Sequence, residues 1–293
     1  MQSPVLGAAE VRQHRRRWSA PPTIAACGVM LALLVLAAIF APLIAPHDPI
    51  KQSLIARNQP PAWLTGGSTH SLLGTDDLGR DVLSRVLYGA RVSLGIGALA
   101  AIIGTVIGTT LGLLAGFFRG ATDWLVILAV DTQLATPDIV IAIAAIAAFG
   151  KGIPILIVLA GVSGLMLFAR ACRSTVLSLR EREFVIAARA MGASDTRIAL
   201  RHILPNIASV VLVIVTIDLR RIILFETTLS FLSLGVQPPQ ASWGAMLGKE
   251  RELLNTTWWI SVFPGTALML TILAVSLIGD WLRDVLDPTL RNG

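Results

Sequence analysis

The sequence predicts an all-α, polytopic membrane protein with six transmembrane helices and both termini in the cytoplasm. Three observations lead there. The 293 residues are 54% hydrophobic and only 14% charged, with a mean hydropathy of +0.73, which is too apolar for an ordinary soluble domain. The apolar residues gather into six runs, each long enough to cross a hydrocarbon core of ~30 Å. Arg and Lys in the flanking segments favour one side, with about 14 inside against about 8 outside. The same bias explains the net charge of +6. Because the arginines form no stripe with interleaved aromatics, nucleic acid is excluded as a partner. Cys27 and Cys172 lie in or beside apolar runs, where cysteine behaves as a small hydrophobe, so no disulfide and no metal cluster is expected.

Residues 1–22 form a basic cytoplasmic N-terminus with Arg12, Arg15, Arg16, Arg17 and an interfacial Trp18. The run 24–45 is a first transmembrane helix rather than a cleaved signal, being about twice an h-region in length and followed by Pro46. Residues 46–91 make an extracytoplasmic loop. Within it Leu78, Val82, Leu83, Val86 and Leu87 form the apolar stripe of an amphipathic helix beside Arg80, Asp81 and Arg85, on the membrane face or packed as a lid. His70 with Asp76 and Asp77 matches no metal-ligand spacing.

Residues 92–282 hold the five-helix core. The second span, Leu94 to Phe118, carries Gly104, Gly108, Gly112 and Gly116 on one face, which permits close helix approach. The third, to about Phe149, contains Asp131, Gln133, Pro137 and Asp138. Either these lie at membrane depth, or residues 121–133 are interfacial and Asp131 is wet. The fourth span is Ile153 to about Ala171. The fifth, Ile207 to about Leu234, is interrupted by Asp218, Arg220, Arg221 and Glu226. There the helix is broken, or the charges pair and line a polar interior. Asp218 and Arg221, three apart, share a helix face. An outer loop with Trp243, Trp258 and Trp259 at the interface leads to the sixth span, Ile260 to about Ile278, and a cytoplasmic tail, 283–293.

Between the fourth and fifth spans lies a polar cytoplasmic segment, 177–205. Phe184, Ala187, Ala188 and Met191 repeat at helical spacing, Gly192 permits a turn, and Ser194 with Asp195 suits the start of a second helix that Pro205 ends. Such an island needs a partner outside the bilayer. The chain has no G-x-x-x-x-G-K-[ST], since Gly248-Lys249 lacks both the earlier glycine and the hydroxyl, and no H-E-x-x-H or G-x-S-x-G. It therefore offers no P-loop, no catalytic residue, no metal site and no cofactor site.

This segment resembles the cytoplasmic EAA loop of bacterial ABC importer permeases. Ala187-Ala188, three residues, Gly192, nine residues and His202-Ile203-Leu204-Pro205 keep the loop's spacing, while Ile186 and His202 stand where that family has glutamate and isoleucine. The similarity is closest to the second permease of the dipeptide/oligopeptide importers, carried by LLGTDDLGRDVLSRVLYGARVSL at 72–94, 183–206, LSFLSLGVQPPQASWGAML at 229–247 and GDWLRDVLDPTLR at 279–291. The resemblance implies a type I ABC importer permease fold in the bacterial inner membrane. It also implies a second permease, one or two ATPase chains that bind ATP and Mg, an extracytoplasmic solute-binding protein and a peptide substrate. Permeases of nickel or other small-solute importers share much of this pattern. A stand-alone secondary transporter and a membrane scaffold are the rivals from other classes. The expected ATPase-coupling residues are Glu183, Phe184, Ala187, Ala188, Met191, Gly192, Leu204 and Pro205. From membrane depth alone, Asp131, Asp218, Arg221 and Glu226 are expected on the translocation pathway.

Overall fold

The computed structural model of the chain describes residues 20–249 and 256–286. The basic head and the last residues of the tail lie outside them. Helix α1 (Pro22–Ile39) opens on a proline, whose missing N–H is no loss at a first turn, and α2 (Ala41–Ile44) continues after a break at Phe40.

Helix α3 (Val82–Phe118) is capped by the Asp81 carboxylate, which accepts the Ser84 N–H at 2.8 Å. It corrects the sequence reading, because the amphipathic segment and the second span are one uninterrupted helix. No proline separates them, and the charged flank is used inside the protein rather than at a membrane face. Arg80 meets Asp76 at 2.6 Å and Arg85 meets it at 3.4 Å, all three buried. The preceding loop is tied down by the same carboxylate, whose Oδ1 accepts the N–H groups of Leu78 and Arg80. At Gly79, with φ +70°, a Cβ would lie 1.8 Å from the Ser53 carbonyl, so only glycine fits.

After α3 come α4 (Gly120–Leu134) and α5 (Asp138–Phe149), bent by 91° at the Pro137 break, and then α6 (Ile153–Leu179). The glycine face of α3 packs on α6, as its spacing predicts. Cβ atoms at Gly104, Gly108, Gly112 and Gly116 would lie 3.1, 2.4, 2.6 and 2.8 Å from the carbonyl oxygens of Gly161, Leu165, Ala169 and Arg173. Both residue series ascend together, so α3 and α6 are parallel and in constant register. The chain between them must return from the end of α3 to the level of its start. Thus α4 and α5 act as one bent return rather than a straight third span.

The polar segment forms α7 (Glu183–Ala190) and α8 (Asp195–Ile198), followed by a π-helical turn (Ala199–Ile203) and α9 (Leu204–Phe231). Helix α10 (Trp243–Lys249) and α11 (Trp259–Leu286) complete the described chain. Trp243 and Trp259 are not interfacial. Trp243 is fully buried, donating from Nε1 to the Val86 carbonyl, and Trp259 Nε1 donates to Thr75 O at 3.1 Å, while Trp258 remains more exposed.

Helices α1, α3, α6 and α11 are long and apolar enough to cross a membrane, and the bent pair α4–α5 makes a fifth candidate. Helix α9 has 28 residues, ~42 Å at 1.5 Å per residue, and carries four charged side chains. Among the described residues there is no β-strand, only an isolated bridge between Thr75 and Asp81.

Candidate functional site

The polar segment is anchored from below. Val185 and Ala188 of α7, with Ile198, Ala199 and Ile203, pack on Phe117 of α3 and on Cys172 and Val176 of α6. This corrects the expected docking face. Ala188 is 3% exposed and faces its own chain, whereas Phe184, Ala187 and Met191 remain outward, Met191 at 82%. Glu183 begins the helix, also exposed.

The turn after α7 closes on the Ala193 N–H to Ala188 O and Gly192 N–H to Arg189 O bonds, with Gly192 at φ +81°. Ser194 caps α8 by accepting the Arg197 N–H, and Arg189 pairs with Asp195 across the turn at 3.2 Å.

Pro205 does not end this segment. A proline has no N–H to give the carbonyl one turn back and crowds it. Here the turn before it widens, with Leu204 N–H reaching Ala199 O, so Pro205 sits inside a helical run unbroken from Asp195 to Phe231. Leu204 is half-buried on the same cluster that seats Ile203.

Further along α9 lies a charged cluster. Arg221 reaches Asp218 at 2.9 Å, Asp138 at 2.9 Å and the Ser163 hydroxyl at 3.1 Å. Asp218 is fully buried, and its Oδ2 takes no hydrogen bond among the described residues. Gly104 and Gly164 make room for this carboxylate, since a Cβ at Gly164 would lie 2.5 Å from it. Asp138 and Arg221 are about one-third exposed. Asp138 and Ser163, with Thr132, Gln133 and Thr136, give the polar wall of a cleft of about 600 Å³ whose other walls are leucines, Phe225 and small aliphatics.

The other nominated residues lie apart from this cluster. Asp131 pairs with Arg170 at 2.6 Å, and both side chains are more than half exposed. Glu226, buried, accepts from Ser230 at 2.7 Å and Ser93 at 3.3 Å, and Ser93 in turn accepts the Trp243 N–H, so this carboxylate braces α9, α3 and α10 and does not line the cleft. Asp138 was missed as Arg221's second partner. Its only local signal is an acid at the first position after Pro137, where a helix start favours it.

A family model described as "Binding-protein-dependent transport system inner membrane component" matches residues 108–292, and one described as "N-terminal TM domain of oligopeptide transport permease C" matches residues 11–61. The chain belongs to the binding-protein-dependent transport permeases. Among similar permeases, the di/tripeptide transport system permease protein DppC of Pseudomonas aeruginosa is 40% identical, covering 90% of this chain and 87% of that protein. The dipeptide transport system permease protein DppC of Escherichia coli K12 is 41% identical over 90% and 88%. A putative peptide transport system permease of Brucella suis is 43% identical over 90% and 86%. An inward-facing MetNI methionine ABC transporter chain shares the permease fold, with TM-score 0.57 and 19% identity over 69% of this chain and 97% of that one.

Proposed function

We propose that this chain is one of two permease subunits of an ATP-driven importer of di- and oligopeptides in the bacterial inner membrane. The peptide assignment rests on the names of its relatives. In this reading the chain crosses six times with both termini cytoplasmic, α9 being the crossing added to the five candidates above, fifth in chain order. Its charges suit that role because they are met inside the protein: Asp218 by Arg221, and Glu226 by serines. A second permease, one or two ATPases holding ATP and Mg, and a solute-binding protein complete the assembly, and this chain contributes no cofactor site.

The observation that carries the reading is the unbroken helix from Asp195 to Phe231, which joins the exposed cytoplasmic segment to Arg221. Phe184, Ala187 and Met191 lie in a groove on the ATPase, the Gly192 turn sets the angle of the two short helices, and a tilt of the docked segment passes into α9. Peptides carry an ammonium and a carboxylate. Asp138, in the cleft wall, and Arg221, paired with it at 2.9 Å, are charge-matched to those termini and give them a polar path through an otherwise apolar interior.

The test is uptake by the reconstituted assembly. Arg221→Ala alone would strand a buried carboxylate at a cost of roughly 3–5 kcal/mol, so it is combined with Asp218→Asn. The double variant is expected to keep its ATPase partners and lose at least tenfold in peptide uptake. Loss of assembly would make the cluster purely structural. Peptide against nickel binding by the partner solute-binding protein separates the peptide reading from a metal importer.

A further inference from the structure

We propose that a second cleft, beside the loop that follows α2, is a phospholipid site that takes a zwitterionic phosphoethanolamine headgroup at one end and acyl chain at the other. The cleft encloses about 840 Å³ between residues 42–50, one face of α3, the first turns of α6 and residues 239–241. On α3 its lining is Tyr88, Arg91, Val92, Gly95, Ile96 and Leu99, a single stripe at helical spacing. The stripe changes character along its length. Tyr88 and Arg91 form its polar end, and Arg91 is the last charged residue before α3 ends at Phe118. That is headgroup depth for a membrane-crossing helix. Leu99 lies about two turns deeper, ~12 Å, facing Ile153 and Ile157 of α6 across the cleft.

Two further observations favour an occupant of this shape. Gly95 differs from the seam glycines of the same helix: a Cβ there would meet nothing within 4 Å. Its hollow opens to the cleft rather than serving helix packing. The charges at the rim are also arranged for a zwitterion. Arg91 is exposed and makes no hydrogen bond or ion pair with the described residues, while Asp48, also exposed, uses Oδ1 to accept the Ile50 N–H at 2.8 Å and leaves Oδ2 without a partner among them. A guanidinium for phosphate and a carboxylate for ammonium fit phosphatidylethanolamine, whereas phosphatidylglycerol offers only the first. A short peptide offers both charges but no tail long enough to cover Ile96, Leu99, Ile153 and Ile157.

The site is tested on the purified permease–ATPase complex in mild detergent, titrated with phosphatidylethanolamine or phosphatidylglycerol and read by native mass spectrometry. One phosphatidylethanolamine per copy of this chain is expected to persist, at least tenfold more tightly held than phosphatidylglycerol. Arg91→Ala should weaken it at least tenfold. Gly95→Leu adds a Cβ that meets nothing within 4 Å, fills the hollow and replaces a poor helix former by a good one, so it should abolish lipid retention in an intact complex. Undiminished retention in Gly95→Leu would overturn the proposal, as would equal binding of the two lipids or displacement of the lipid by a tripeptide. Failure of both variants to assemble would mark a structural role and overturn it equally.

Discussion

Replacing Gly108 by alanine tests the parallel α3–α6 seam with a single methyl group. The added Cβ would stand 2.4 Å from the Leu165 carbonyl oxygen and 2.7 Å from Phe168 Cβ. One of these is backbone, so relief needs the helix axes to part by roughly 0.8–1 Å, and overpacking of that kind costs ~1–3 kcal/mol. Against it stands the gain of about 0.8–1 kcal/mol for alanine over glycine in a helix. The net is a destabilisation of up to about 2 kcal/mol. Gly28→Ala in α1 is the matched control, because a Cβ there meets nothing within 4 Å and only the gain remains. Thermal midpoints of the purified complex, followed by loss of its size-exclusion peak, should fall for Gly108→Ala and hold or rise for Gly28→Ala. A graded series follows from the same geometry: Gly112→Ala, at 2.6 Å from Ala169 O, should resemble Gly108→Ala. Gly97→Ala, whose Cβ meets only side-chain atoms, Ile223 Cγ1 at 3.3 Å and Leu219 Cδ1 at 3.5 Å nearest, should cost less. Gly108→Ala melting at or above the parent would refute backbone contact between the two helices.

At Gly192, φ +81° leaves an alanine strained by ~1–2 kcal/mol although the space around it is open. Gly192→Val should therefore uncouple ATP hydrolysis from uptake more severely than Gly192→Asn, measured as transported solute per ATP. On α7, Phe184→Ser with Met191→Ser should release the ATPase during co-purification while the permease pair stays folded, whereas Ala188→Asp, placed among Cys172, Val176 and Ile198, should lower expression of the permease itself. The reverse pattern would return Ala188 to the docking face.

What the sequence could reveal was whatever its local spacing encodes. The four glycines at intervals of four, and Asp218 with Arg221 three apart, each declare a shared helix face, and both faces are used as spaced. Asp138 and Arg221 lie 83 residues apart, so their meeting depends on the bend at Pro137, and no spacing rule reaches that far. The stripe on α7 gave the right residues but not which edge turns inward. That choice is made by the hollow between α3 and α6 into which Val185 and Ala188 fit. Pro205 reads as a boundary because the sequence shows the missing donor but not the π turn that absorbs it. Loop tryptophans read as interfacial, yet Trp243 goes inside because Gly89 leaves it room, a Cβ there lying 3.2 Å from Trp243 Cδ1.

The charges on α9 follow from its length. From Ala199, where the helical run sits on the anchored cluster, to Arg221 is ~33 Å of helix at 1.5 Å per residue. A tilt of about 5° about the lower end moves the guanidinium by ~3 Å, comparable with the 2.9 Å contact that holds it to Asp138. The contact to Asp218 is on the same helix and travels with it. On the proposed reading, a small motion imposed on the 183–205 segment would break one bridge and keep the other, so the buried carboxylate would keep its cation. Cysteines at Ala142 of α5 and Phe225 of α9, which pack in one cluster beside the cleft, in a background with Cys27→Ser and Cys172→Ala, joined by a short cleavable bis-thiosulfonate, should stop uptake without releasing the ATPases, and reductant should restore it. Uptake that persists with the two positions joined would mean that α9 does not move against α5, and the lever would have no output at this cleft.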